Sequence, residues 1–95
     1  MRLTSYRAAR LFGLHPRKGA LEAGSDADLV VVDLEREVKV DLPALNSAVD
    51  FSPYEGYVAR GWAATTIAAG QVVYEGGEVV AGRTRGRYLG AGLPA

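Results

Sequence analysis

His15 is the only imidazole in this 95-residue chain, and no cysteine accompanies it. A hydrolytic zinc centre takes about three protein ligands, and two or more of them are usually histidines. One imidazole and no thiol cannot supply that set. His15 directly precedes Pro16 and reads as a hydrogen-bonded loop histidine. Asp26 and Asp28 form an Asp-x-Asp pair at the head of an apolar run, where carboxylates are ordinarily solvated. A calcium loop would need more oxygen ligands in a tight turn, and the EF-hand pattern is absent.

Nucleophilic chemistry finds no better footing. Ser5, Ser25, Ser47 and Ser52 include no Gly-x-Ser-x-Gly elbow, and a single histidine leaves little room for a serine–histidine pair. Asp50 and Glu55 flank Ser52-Pro53-Tyr54 and could converge as paired carboxylates. The plainer expectation is that they accept hydrogen bonds from loop amides. The stretch Gly82 to Gly92 is glycine-rich and carries Arg83, Arg85 and Arg87, but it follows the last strand and opens no helix. It therefore meets neither the P-loop nor the dinucleotide pattern. Its arginines could grip RNA or an acidic surface; a solvated tail or a subunit contact is the expected role. Tyr54, Tyr57, Trp62, Tyr74 and Tyr88 are not interleaved with a basic face as stacking platforms are, and read as core or interface. No catalytic, cofactor-binding or metal-ligating residue is assigned, and no cofactor is expected in this chain.

The elements that hold these residues are short. Residues 4–12 read as an amphipathic helix with Thr4 or Ser5 as its cap. Gly13 is suited to the position just past its end, and Pro16 acts as a stop. A loop with a basic front, Arg17-Lys18, and an acidic exit, Asp26 and Asp28, leads to a strand from about Asp28 to Leu34. Leu29 to Val32 offers no polar alternation, so this strand is expected to be covered on both faces. Glu37 to Asp41 alternates like a second strand. Residues 42–57 are rich in turn formers and expected to be irregular. Val58 to Ala64 and Thr65 to Ala69 read as two more strands. Val72 to Glu75 and Glu78 to Ala81 flank Gly76-Gly77, a two-residue loop suited to a type I′ hairpin. An open sheet of this kind has unpaired edges that natural proteins cover or pair, so a missing partner strand is expected. Residues 90–95 are expected to fray.

Composition sets the outer limits. Ninety-five residues, 48% hydrophobic and 23% charged, make one ordinary globular domain at most. A chain this size buries only about 60–65% of its unfolded surface, so its core is marginal unless a partner adds to it. The formal net charge is zero, which argues against general nucleic-acid or anionic-membrane binding. The charge is segregated all the same: +5 over residues 1–20, −7 over 21–55 and +2 over 56–95. Such blocks can attract one another within the chain or between copies. No apolar run is long enough to span a bilayer and there is no secretory h-region, so a cytoplasmic protein is expected.

Taken together, the segments resemble the C-terminal region of the cyclic amidohydrolases, the group of dihydroorotase, hydantoinase/dihydropyrimidinase and allantoinase. The resemblance rests on Ala9-Arg10-Leu11-Phe12-Gly13-Leu14, then Pro16-Arg17-Lys18-Gly19, then Gly24-Ser25-Asp26-Ala27-Asp28-Leu29-Val30-Val31-Val32-Asp33. It continues through Ser52-Pro53-Tyr54-Glu55-Gly56, Gly70-Gln71-Val72-Val73-Tyr74, Gly77 and Gly86-Arg87-Tyr88-Leu89. It implies a metal-dependent (β/α)₈ barrel plus a small β-sandwich, with one or two divalent ions, typically zinc, in the barrel.

This chain matches only the last barrel helix (residues 1–13) and the C-terminal share of the sandwich (residues 14–89), followed by a tail over 90–95. The resemblance thus implies a mainly β fold, a partial β-sandwich with one short N-terminal helix. None of the family's metal ligands has a matching position, and Lys18, in a structural turn, is not the family's carboxylated lysine. The position of His15 is commonly aromatic in relatives. Ser52-Pro53-Tyr54-Glu55-Gly56 leans toward the allantoinase and dihydroorotase branches. The expected role is a non-catalytic scaffold that supports oligomer contacts, the parent reaction being hydrolysis of a cyclic amide C–N bond. The alternative is a self-associating interaction module, a homo-oligomer or a partner for strands of a related chain. The chain is expected to be a truncated or dissected piece, or an orphan reading frame.

Overall fold

The chain enters through a π-helical turn, Arg2–Tyr6, that runs directly into an α-helix, α1, Arg7–Leu11. The computed structural model describes residues 1–45, 47–80, 82 and 86–90. Helical backbone begins two residues ahead of the expected start, so Thr4 and Ser5 lie inside it and no side chain caps it. The carbonyl of Met1 accepts the N–H groups of Ser5 (2.9 Å) and Tyr6 (3.4 Å) instead. The far end closes as expected at Gly13, whose φ is +70°. The N–H of Gly13 donates to the carbonyl of Arg10 (3.2 Å) and that of Leu14 to the carbonyl of Ala9 (2.8 Å). This is the Schellman pairing, which satisfies the last helical carbonyls.

Four strands follow in a single antiparallel sheet, ordered as in the chain: β1 (Leu29–Lys39), β2 (Val58–Ala68), β3 (Gln71–Glu75) and β4 (Glu78–Val79). The two pieces expected at 28–34 and 37–41 are one strand, and so are those expected at 58–64 and 65–69. Their pairing explains the fusion. Asp33 faces Trp62 and Glu37 faces Arg60, so Leu34, Glu35 and Arg36 stand against Gly61 alone. This bulge bends β1 without ending it. Gly61 takes φ +93° there, and the Asp33 carboxylate accepts the Glu35 N–H at 3.0 Å. A second bulge leaves Ala64 unmatched between Val31↔Thr65 and Val32↔Ala63.

Beyond β1, a single helical turn, α2 (Leu42–Leu45), forms within the stretch expected to be irregular. The ladder is carried past Lys39 by Val40, whose N–H donates to the carbonyl of Tyr57 (2.7 Å) and whose carbonyl accepts from Gly56 (2.8 Å).

Two tight turns shape the far side of the sheet. Gly76 and Gly77, at φ +60° and +89°, join Glu75↔Glu78 as the expected type I′ turn requires. The β2–β3 connection is a two-residue turn of the same kind, Ala69-Gly70, at φ +49° and +78°. Left-handed backbone costs a residue with a Cβ about 1–2 kcal/mol, so Ala69 reads from its sequence as the end of a strand and not as a turn. Cross-strand rows run Val30–Thr66–Tyr74–Val79 and Val31–Thr65–Glu75–Glu78. Successive rows point to opposite faces.

The architecture is mainly β with one short N-terminal helix, and it forms one layer. Among the described residues the buried hydrophobics are Ala9 and Val40. Val30, Val31 and Val32 are 49–55% exposed and Leu34 is 72% exposed, so the described residues do not supply the expected two-sided cover of this strand. Tyr54, Tyr57 and Tyr88 are exposed, while Trp62 and Tyr74 are half-buried on the sheet. Ala81, Arg83, Arg85 and residues 91–95 of the expected strand end and tail lie outside the described residues. No described helix is long and apolar enough to cross a membrane.

Candidate functional site

Charged side chains converge where the loop after α1 meets the head of β1. The turn from Leu14 to Gly19 brings Arg17 and Lys18 back toward the chain as it enters the sheet. Ser25 fixes the opposite side of the loop by donating its hydroxyl to the Pro16 carbonyl at 2.6 Å. The Asp26 N–H donates to the Arg17 carbonyl at 2.9 Å. Asp26 then accepts from Arg17 Nε and Lys18 Nζ, both at 3.0 Å. Lys18 also donates to Oδ2 of Asp28, while Oδ1 of Asp28 accepts the Ala69 N–H at 2.9 Å. The carboxylates expected to be merely solvated are therefore ion-paired, because a ten-residue loop folds the basic front onto the acidic exit.

Each titration follows from these bonds. Lys18 is raised above its ordinary 10.5, first by Asp28 and then by Asp26. Asp26 is held below its ordinary 3.8, first by Lys18 and then by Arg17. Asp28 is lowered first by the Ala69 N–H and next by Lys18. An acid–base catalyst works best with a pKa near the operating pH, and all three groups are moved away from neutrality. The cation between the two carboxylates is the lysine ammonium itself. Among the described residues no group of three or more His, Cys, Asp or Glu side chains is placed to hold a metal ion. The two carboxylates are neutralised by Lys18 and Arg17, and the cluster works as an electrostatic clamp.

Beside the clamp lies an open cleft of about 380 Å³ between the helical segment and the loop, lined by Ser5, Tyr6, Lys18, Leu21, Asp26 and Asp28. Gly19 forms its floor at closest approach to the helix. A Cβ there would lie 2.6 Å from the Ala9 Cβ and 2.9 Å from the Ser5 carbonyl oxygen.

The other candidates fall apart from this cluster. His15 meets the Tyr6 ring edge-on, centroids 5.2 Å apart, and Arg10 lies 5.7 Å over the same ring and donates to its hydroxyl. This is a small stacked surface that orders the turn. In the 50–55 loop it is Ser52, not a carboxylate pair, that organises the backbone: its hydroxyl accepts the Tyr54 N–H at 3.2 Å and its carbonyl the Glu55 N–H at 3.2 Å. Asp50 and Glu55 are exposed. Of the arginine tail, Arg87 is described and exposed, and Arg83 and Arg85 lie outside the described residues. The role of Lys18 as counter-ion and of Asp28 as a turn anchor is not legible in the sequence. The signal is present only as two cations ten residues ahead of two acids, without anything local to pair them.

Known proteins match this chain over most of its length. The chain is 38% identical over 87 residues to the D-hydantoinase of Ralstonia pickettii, covering 92% of this chain and 19% of that one. It is 40% identical over 83 residues to the L-hydantoinase of Paenarthrobacter aurescens, covering 87% and 18%. Its fold superposes on the crystal structure of dihydropyrimidinase from Brevibacillus agri with a TM-score of 0.76 and 32% identity, over 81% of this chain and 17% of that chain. The chain thus spans under one fifth of the length of these relatives. A family model described as "Amidohydrolase family" matches residues 1–80, and the chain belongs to that family.

Proposed function

We propose that this chain is a non-catalytic scaffold segment of a hydantoinase-type cyclic amidohydrolase, whose reaction is metal-dependent hydrolysis of a cyclic amide C–N bond. One observation carries the reading: the sheet is well paired internally yet leaves its apolar residues open. Val30 and Val31 lie on opposite faces of β1 and, with Val32 and Leu34, are 49–72% exposed, so this strand presents apolar surface on both sides. The kinship with hydantoinases supports assigning that surface to contacts with the remainder of such an enzyme, in a cytoplasmic setting. The metal ligands and the specificity loops belong to that remainder.

The test has two arms. The purified 95-residue chain, with zinc added, is assayed for hydrolysis of hydantoin and dihydrouracil, and no turnover is expected. A hydantoinase lacking the region that matches residues 1–80 is then co-expressed with this chain, and recovery of activity is expected. Turnover by the chain alone, or failure of the two pieces to associate, overturns the reading.

A second reading, self-association, is favoured by the free edge of β1. Leu29 to Val32 carries none of the charges that usually guard an edge. A monomer in sedimentation velocity at every micromolar concentration tested would remove it.

A further inference from the structure

We infer that Asp28 is a conformational latch that couples the docking of the helix and its loop to the left-handed β2–β3 turn. Among the described residues Ala69 is the one non-glycine with positive φ, and it is exposed. What holds it is the segment that leads into the neighbouring strand β1. The Ala69 N–H donates to Asp28 Oδ1 at 2.9 Å, and the Gly70 N–H donates to the Ala27 carbonyl at 3.0 Å. Both amides of the turn are thus captured by the two residues that precede β1, one of them charged. Charge-assisted bonds of this kind are the stronger ones.

The second oxygen of the same carboxylate takes Lys18. Lys18 adjoins Gly19, the residue pressed against Ala9 and Ser5 of the helical segment. A continuous chain of contacts therefore runs from the helix, through Gly19, Lys18 and Asp28, to the amide of Ala69. Asp28 cannot satisfy both partners unless the loop is docked and the turn is left-handed at once. A two-state element biased from both ends is what physical coupling requires. The surrounding charges complete the set: Arg17 and Asp26 lie on the loop, and Arg87 lies across a second cleft shared with Asp28 and Ala69.

Amide hydrogen exchange on the full chain tests the latch. Lys18→Met does not touch the turn, yet is expected to speed exchange at Ala69 and Gly70 by about tenfold, the change equivalent to 1.4 kcal/mol. Asp28→Ala is expected to speed exchange at those amides and also at Asp26, whose N–H is bonded across the loop to Arg17. Ala69→Gly, which removes the backbone strain, is expected to reduce the cost of Asp28→Ala when the two are combined. Should Asp28→Ala fail to fold, Asp28→Asn keeps an acceptor for the Ala69 N–H while losing the attraction to Lys18, and carries the same test. Exchange at Ala69 unchanged within about twofold in Lys18→Met, or strict additivity of Asp28→Ala and Ala69→Gly, would overturn the coupling.

Discussion

Replacing Gly19 by alanine tests how tightly the helix is seated. Two costs are expected, and they can be separated. The first is conformational: φ at Gly19 is +78°, and a Cβ in left-handed backbone costs about 1–2 kcal/mol. The second is steric. The new methyl would lie 2.6 Å from the Ala9 Cβ, 2.9 Å from the Ser5 carbonyl oxygen and 3.3 Å from the Ser5 carbonyl carbon. Two of those atoms are backbone and cannot swing away, so the helix must shift as a body, an overpacking that costs about 1–3 kcal/mol. The sum, roughly 2–5 kcal/mol, is a large share of the 5–15 kcal/mol typical of a domain.

Gly24→Ala is the matched control. Its φ is +95°, and a Cβ there meets nothing within 4 Å, so only the conformational cost of about 1–2 kcal/mol applies. Urea unfolding followed by far-ultraviolet dichroism compares the two. Ala9→Gly added to Gly19→Ala relieves the 2.6 Å contact but not those with Ser5, and adds about 1 kcal/mol of helix penalty, so it restores little. A Gly19→Ala no less stable than Gly24→Ala would refute the close approach of loop and helix.

Other perturbations follow from the same contacts. Asp26 and Asp28 have folded pKa values below the ordinary 3.8, so their stabilisation is complete above that pH and is lost as pH falls through the lowered values. Lys18, raised above 10.5, keeps its contribution below that pH and loses it as pH rises beyond. Stability measured by urea titration should then be flat from about pH 5 to 9 as far as the clamp is concerned, and Lys18→Met should weaken the acid limb of the profile. Arg60 pairs with Glu35 across the β1 bulge with both side chains mostly exposed, so Arg60→Ala is expected to cost under about 1 kcal/mol. Gly76→Asn, at φ +60°, should raise the melting temperature slightly, since asparagine suits the first position of a type I′ turn and restricts the unfolded chain. Adding zinc or a chelator should leave the melting temperature of the chain unchanged.

What the sequence disclosed was whatever a few adjacent residues decide. Gly13 ends the helix because the Schellman bonds need one left-handed residue there. Gly76-Gly77 makes the hairpin because its turn needs two. The charge blocks were legible as blocks, and every ion pair among the described residues joins different ones: Arg17 and Lys18 to Asp26 and Asp28, and Arg60 to Glu35. What stayed hidden was set across strands. Nothing local in Leu34-Glu35-Arg36 says that β1 continues through them, because Gly61 on the neighbouring strand absorbs the extra residues. Gly70 marks the break between strands, but nothing local places Ala69 inside the turn, because the carboxylate that accepts its N–H, Asp28, stands 41 residues away in the chain. The start of the helix is hidden for a related reason: Thr4 and Ser5 are good caps in isolation, yet Met1 already supplies the carbonyl that opens the helical bonds.

The chain therefore separates two things that small domains usually combine. Its local hydrogen bonding is supplied from within: helix end, bulge, two tight turns and clamp are all closed by its own groups, though β1 keeps an open edge. Its hydrophobic burial is not, since Ala9 and Val40 are the buried hydrophobics among the described residues. Hydrogen bonds contribute only about 0.5–1.5 kcal/mol net apiece, whereas removing apolar surface from water is what chiefly drives folding. A sheet with settled register and open valines is thus specified in shape before it is complete in stability, and covering those valines would supply most of the stability still missing. If the reasoning is sound, Val31→Thr should cost the isolated chain little, because Val31 is already 54% exposed there, and cost the assembled enzyme markedly more. Equal cost in both settings would mean that this face is never covered, and the scaffold role would fall with it.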